Sequence, residues 1–302
     1  MANAPFIRID RDEKFKIYRI YFKSLSELEN YLKGDPEVNR EVFKTQKSIY
    51  LPEDFAGEPL SNAINYCHGG YEKGLGVFMR LKKELESVNI LKTNYRRSVP
   101  AVVGSRPHVP NFVAGTPKTM WRLDKAKEKK FIDVYINLAY SGENTDSQIR
   151  NRGILTLNLI SLFENNDIGV NLHAFEASYN YEELFIADVK LKRPDEIINV
   201  GKCYYPLCGK EFIRRLLVRV KESMPFMEKW GIGYGAVLPE PLIRRYMEID
   251  DKKLLILSPD EMGIKGKDIY EDANAFFEHL NLTDKIAIPN YRKTDTKEAK
   301  ND

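Results

Sequence analysis

The first residues whose types and spacing suit chemistry are Asn137, Ser141, Glu143 and Asn144, which close an apolar run, with Arg150 and Arg152 shortly after them. A polar loop at the carboxyl end of a parallel strand is where open α/β sheets bind ligands. Two arginines beside the first amides of a helix attract phosphate or another anion. The plainer reading is that Asn137 and Ser141 satisfy the strand end and cap the helix that follows. Asn137, Ser141, Glu143, Arg150 and Arg152 therefore form a candidate ligand or partner loop, with a structural role as the competing account.

A second cluster interleaves cations and rings: Tyr95, Arg96, Arg97, Arg106, Lys118, Trp121 and Arg122. Rings and guanidinium planes stack bases while the charges hold phosphates, so this is the candidate nucleic-acid surface. Its plain alternative is a solvated charged face.

Other signals are weaker. Cys203-x4-Cys208 stands at the edge of zinc-ligand spacing, and Cys67-His68 supplies no second pair of clean spacing. Buried thiols and a turn histidine fit better, so no metal site and no cofactor are expected. His173, between Leu172 and Ala174, reads as a core or edge histidine, whereas His108 after Pro107 is freer to act. Gly231-x-Gly233-x-Gly235 lacks the strand before and helix after that a dinucleotide fingerprint requires. No catalytic set is recognisable.

The elements that must position these residues follow from periodicity. Residues 5–9 and 15–22 alternate apolar and polar side chains, the pattern of a hairpin or edge pair. Ser24 with Glu27 opens a helix that Gly34 and Pro36 stop. Residues 50–76 read as turns between short helices, 77–90 as a helix, and the Pro/Gly-rich stretch 98–130 as a connector. Phe131 to Leu138 has the composition of an interior strand. Asp146 or Ser147 can cap the next helix, which is apolar enough to lie against a sheet, and 169–176 gives a neighbouring parallel strand. Further strands are expected at 184–191 and 254–257. Helices are expected at 212–220, with Arg214, Arg215 and Arg219 on the polar side, and at 269–280.

These elements predict an α/β fold with a mainly parallel central sheet. The division is an N-terminal α+β section (1–97), the connector (98–130), an α/β domain (131–289) and a polar, disordered tail (290–302). Lys and Arg number 47 against 44 Asp and Glu, so no global positive field argues for nucleic acid. Three cysteines suit a reducing compartment, and the early charges Arg8, Asp10 and Arg11 interrupt any signal-like apolar run. A cytoplasmic protein without membrane contact is expected.

Several short motifs in order carry a resemblance: Val102 to Pro110, Ala114 to Met120, Asn137 to Ser141 and Ile149 to Gly153. Over roughly residues 65–180, they resemble an uncharacterised protein family found mostly in bacteriophages. The resemblance implies a phage or prophage origin and action in an infected bacterial cell. At the level of fold, the chain also resembles von Willebrand factor A domains, in which a first strand ends in an Asp-x-Ser-x-Ser metal motif before a long helix. Asn137 stands where the carboxylate belongs and Ala139 where the first hydroxyl does, leaving only Ser141 in place. A von Willebrand-like or Rossmann-like domain with a degenerate metal-site loop is thus implied. Two functions fit: a non-enzymatic module that binds a protein partner or assembles with itself, and a nucleic-acid-binding or nucleic-acid-processing protein.

Overall fold

The structure, a computed structural model, describes residues 6–33, 45, 47–87, 98–104, 106–123, 130–166, 168–227 and 235–280. Strands β1 (Phe6–Arg11) and β2 (Lys16–Phe22) pair antiparallel, as their alternation predicts. Helix α1 (Leu25–Lys33) follows, opened by Ser24 Oγ accepting the Glu27 amide. After a 3-10 turn (Lys47–Tyr50) come α2 (Glu53–Ala56), α3 (Leu60–Gly69) and α4 (Glu72–Ser87). Helix α4 starts earlier than the glycines at 74 and 76 suggest. A Cβ at Gly74 would stand 2.1 Å from the Tyr204 ring, so glycine there serves a close approach rather than a turn.

Residues 98–123 form a small antiparallel sheet in the order β3-β5-β4 (Ser98–Ala101, Met120–Leu123, Arg106–Pro107), with one short helix, α5 (Val109–Val113). The connector expected from its prolines therefore has a fold of its own.

The central sheet takes β6 (Lys130–Asn137), β7 (Ile168–Asn180), β8 (Glu183–Lys192) and β10 (Leu254–Ile256), in the order β1-β2-β8-β7-β6-β10, with the short β9 (Ala236–Val237) on β7. Pairs β6/β7, β6/β10 and β2/β8 are parallel, while β7/β8 forms an antiparallel hairpin. The architecture is mixed α/β with a mostly parallel main path. The N-terminal section contributes β1 and β2 to the same sheet as the strands of 131–289.

Helix α6 (Asp146–Asn165) crosses from β6 to β7 and is buried on nearly every side, as its apolar content predicts. Its polar Thr156, Asn158 and Ser161 return hydrogen bonds to carbonyls four residues earlier, which satisfies them without water. Its cap is Thr145, not Asp146 or Ser147. Thr145 is the last extended residue and forms a reciprocal capping box with Gln148, whereas Asp146 already lies in the helix, 3.1 Å from the Lys210 ammonium.

Helix α7 (Val200–Cys208) was not foreshadowed by periodicity. It packs against α6 so closely that a Cβ at Gly153 would meet Cys208 Sγ at 2.4 Å. The helix expected at 212–220 is a π-helical turn (Phe212–Leu217) running into α8 (Val218–Glu222). Its arginines correct the sequence reading: Arg214, Arg215 and Arg219 are 7%, 2% and 6% exposed. They donate to the carbonyls of Phe55, of Ser48, Ile49, Gly57 and Glu58, and of Thr45 respectively, and Arg219 also pairs with the buried Glu222 carboxylate, so their polar partners are protein groups rather than solvent. Helices α9 (Glu240–Tyr246) and α10 (Ile269–Leu280) complete the described chain. Tyr31 of α1 and Lys221 of α8 reach the sheet face bearing Phe22 and Phe185, whereas Arg19 on the opposite face donates to Tyr246 O of α9. Among the described residues no helix is long and apolar enough to cross a membrane.

Candidate functional site

At the carboxyl end of β6 the chain must leave the sheet, and Asn137 turns it. Its fully buried side chain accepts the Ala139 amide at 3.0 Å. Ser141 Oγ then accepts the Glu143 amide, and Asn144 donates to Asp260 beyond β10 at 2.5 Å. Glu143 is exposed. The loop is thus tied internally, as the structural account of Asn137 and Ser141 requires.

Arg152 rises from α6 beneath this loop with 0% exposure. One guanidinium nitrogen donates to Asn137 O at 2.8 Å and Leu257 O at 3.3 Å, bridging the ends of β6 and β10. Its Nε and Nη2 have no partner among the described residues. Burial pulls this guanidinium down to about 10. Arg150 does not join it. It lines a separate cleft with Tyr71, Tyr204, Lys210 and Glu211, because positions two apart on a helix point in different directions.

A cavity of about 110 Å³ lies between the loop, β7 and α8, walled by Ala139, Tyr140, Gly142, Glu176, Ser178, Phe55, Arg214 and Lys221. Glu176 and Lys221 form an ion pair, 4% and 1% exposed at the side chain, and Ser178 Oγ donates to the same carboxylate at 3.2 Å. Glu176 Oε2 and the Tyr140 hydroxyl have no hydrogen-bond partner among the described residues. Arg214 holds Phe55 O at 2.6 Å and Gly142 O at 3.3 Å, with its plane 4.4 Å from the Phe55 ring and 5.3 Å from that of Tyr140. Arg152 sits 5.9 Å from the Tyr140 ring. Burial pushes the Tyr140 phenol up against the opposing pull of Arg214 and Arg152, so it remains a hydrogen-bond donor at neutral pH.

Glu176, Ser178, Arg214 and Lys221 were missed from sequence. Two same-face polar residues in a buried strand, and two cations seven apart in an apolar helical run, were the available signals.

Of the candidate nucleic-acid surface, Tyr95, Arg96 and Arg97 lie outside the described residues. Arg106 and Arg122 on the small sheet and Lys118 in the loop before β5 are exposed, and half-buried Trp121 stands 4.2 Å from the His108 ring. His108 is not free, since Nδ1 accepts the Asn111 amide and caps α5. His173 is stacked between Tyr135 and Tyr21 and held by Asp188 at 3.0 Å. Gly231, Gly233 and the tail 290–302 also fall outside the described residues. Burial pushes the Cys67 and Cys203 thiols up to about 12. Among the described residues no group of three His, Cys, Asp or Glu could hold a metal ion.

The model of a family described as a domain of unknown function (DUF7192) matches residues 7–284. No curated protein and no solved structure matches the chain.

Proposed function

The chain belongs to the DUF7192 family over nearly its whole length, and on that premise we propose that it is a non-enzymatic binding module of von Willebrand factor A-like architecture. Its partner is a protein that presents a carboxylate to the cavity beside Tyr140. The order of elements supports the architecture: a first strand ending in a polar loop, a long buried helix, and a neighbouring parallel strand. In place of the metal motif, the Arg152 guanidinium bridges the strand ends. A fixed cation there repels a second one, and neutral Asn137 offers no anionic oxygen to offset it.

One observation carries the reading. The cavity wall holds two cations, Arg214 and Lys221, against the single carboxylate of Glu176, with the Tyr140 hydroxyl left to donate. A small anion balances that charge, and an acidic side chain or chain terminus brings one with a protein attached.

Titration with acetate and succinate, followed by thermal unfolding and calorimetry, tests it. Stabilisation that rises with ligand and weakens about tenfold in Tyr140→Phe is expected, because one hydrogen bond to a charged group is lost. Mg²⁺, Mn²⁺ and Ca²⁺ are expected to leave the melting temperature unchanged. No response to either carboxylate, or a clear stabilisation by a divalent cation, overturns the reading.

A second reading rests on the exposed Arg106, Lys118 and Arg122 around Trp121, which suit a nucleic-acid strand. Retention on single-stranded DNA that falls steeply with salt and is lost in Arg106→Ala/Arg122→Ala supports it.

A further inference from the structure

Strands β2 and β8 run parallel to each other, and β8 runs opposite to β7. Their carboxyl ends therefore lie at the end of the sheet opposite the Tyr140 cavity. β2 ends at Phe22 ahead of α1, and β8 ends at Lys192 ahead of α7. Between these exits lies a groove of about 620 Å³.

Its lining is strongly cationic: Lys23, Lys190, Lys192, Arg193 and Lys202 against one carboxylate, Glu196. Two of the five are already balanced. Lys192 is buried, 2.8 Å from the Glu164 carboxylate and donating to two carbonyls, and Arg193 pairs with Glu196 at 2.8 Å. Lys23, Lys190 and Lys202 have no acidic partner among the described residues. Three ammonium groups sharing one concave surface concentrate anions there, because converging fields in a groove exceed those on a convex surface. Lysine is a compact point charge with rotatable donors, which suits phosphate oxygens arriving from several directions. The lining contains no aromatic ring, so nothing in it stacks a nucleobase. The volume is of the order of a small-molecule pocket.

We propose that this groove binds an oligophosphate: a linear anion with several charges, as in inorganic tripolyphosphate or the triphosphate part of a larger ligand. The lysines supply the attraction. The first turn of α7, capped by Asn199, adds the partial positive charge of a helix start, whereas that of α1 already faces the Glu27 carboxylate, which accepts the Lys23 amide.

Isothermal titration of the full chain with tripolyphosphate tests this, alongside Lys23→Gln/Lys202→Gln and a control, Lys252→Gln, at an exposed turn that does not line the groove. All three substituted lysines are exposed, so the fold is expected to tolerate their loss. Saturable binding that drops about a hundredfold in the double variant, tenfold for each charge-assisted hydrogen bond removed, and is unchanged in Lys252→Gln is the expected result. Absence of saturable heat overturns the proposal, as does equal loss in the control, which would make the effect one of bulk charge. Tighter binding of a (dT)20 oligonucleotide than of tripolyphosphate also overturns it, since the groove would then be following a nucleic-acid backbone. The acetate response at Tyr140 is independent of every one of these outcomes.

Discussion

The two ends of the central sheet receive parallel strands in the same way and treat charge in opposite ways. At the β6/β7 end, Arg152, Arg214, Glu176 and Lys221 are withdrawn from water and fastened to carbonyls or to each other. At the β2/β8 end, Lys23 and Lys202 stay in solvent, and only Lys192 is drawn inside. Withdrawn charge carries a desolvation cost and gives fixed geometry, whereas solvated charge costs little and gives reach without geometry. Fixed charge beside a cavity and solvated charge along a groove thus stand at opposite ends of one sheet.

The strongest way to break this contrast is to strip one partner from the withdrawn pair. Lys221→Met leaves the Glu176 carboxylate buried alone and should cost about 3–5 kcal/mol in urea unfolding. Lys221→Met combined with Glu176→Gln should recover most of that loss. A small effect of the single variant would mean that water reaches the pair, and the contrast between the ends would collapse.

Next in size are the helix caps, which sharpen the comparison by acting alike at both ends. Thr145→Ala at the β6/β7 end and Asn199→Ala at the β2/β8 end should each cost about 1 kcal/mol, because each removes one side-chain acceptor from a first-turn amide. Unequal costs would indicate that the surroundings of α6 or α7, and not the cap alone, set the value. The smallest expected effect is that of Lys23→Gln or Lys202→Gln on stability, within about 0.5 kcal/mol of the parent by the same measurement.

What could be read from the chain in advance follows the range of the interactions involved. The strand at 131–138, the buried helix after it and the parallel strand from 169 are written in local apolar pattern, and Ser24 with Glu27 announces a helix start within four residues. Arg214, Arg215 and Arg219 were misjudged because charge at helical spacing signifies solvent unless acceptors arrive from far away. Here most of them come from residues 45–58, more than 150 positions earlier in the chain, and of the three arginines Arg219 alone has an acceptor in its own helix, the Glu222 carboxylate. Helix α7 was hidden by Gly201 and by Pro206 within it. Of the candidate loop, Arg152 was correctly placed near Asn137, but its burial and its separation from Arg150 depend on packing that no spacing encodes.

The arginine grip on residues 45–58 has an evolutionary corollary. Every acceptor that Arg214 and Arg215 use in that strap is a main-chain oxygen. Such bonds do not depend on which side chains stand at positions 49 and 50. Ile49 and Tyr50, both substantially exposed, can be exchanged without loosening these bonds, whereas Phe55, whose ring walls the cavity and lies against the Arg214 guanidinium, cannot.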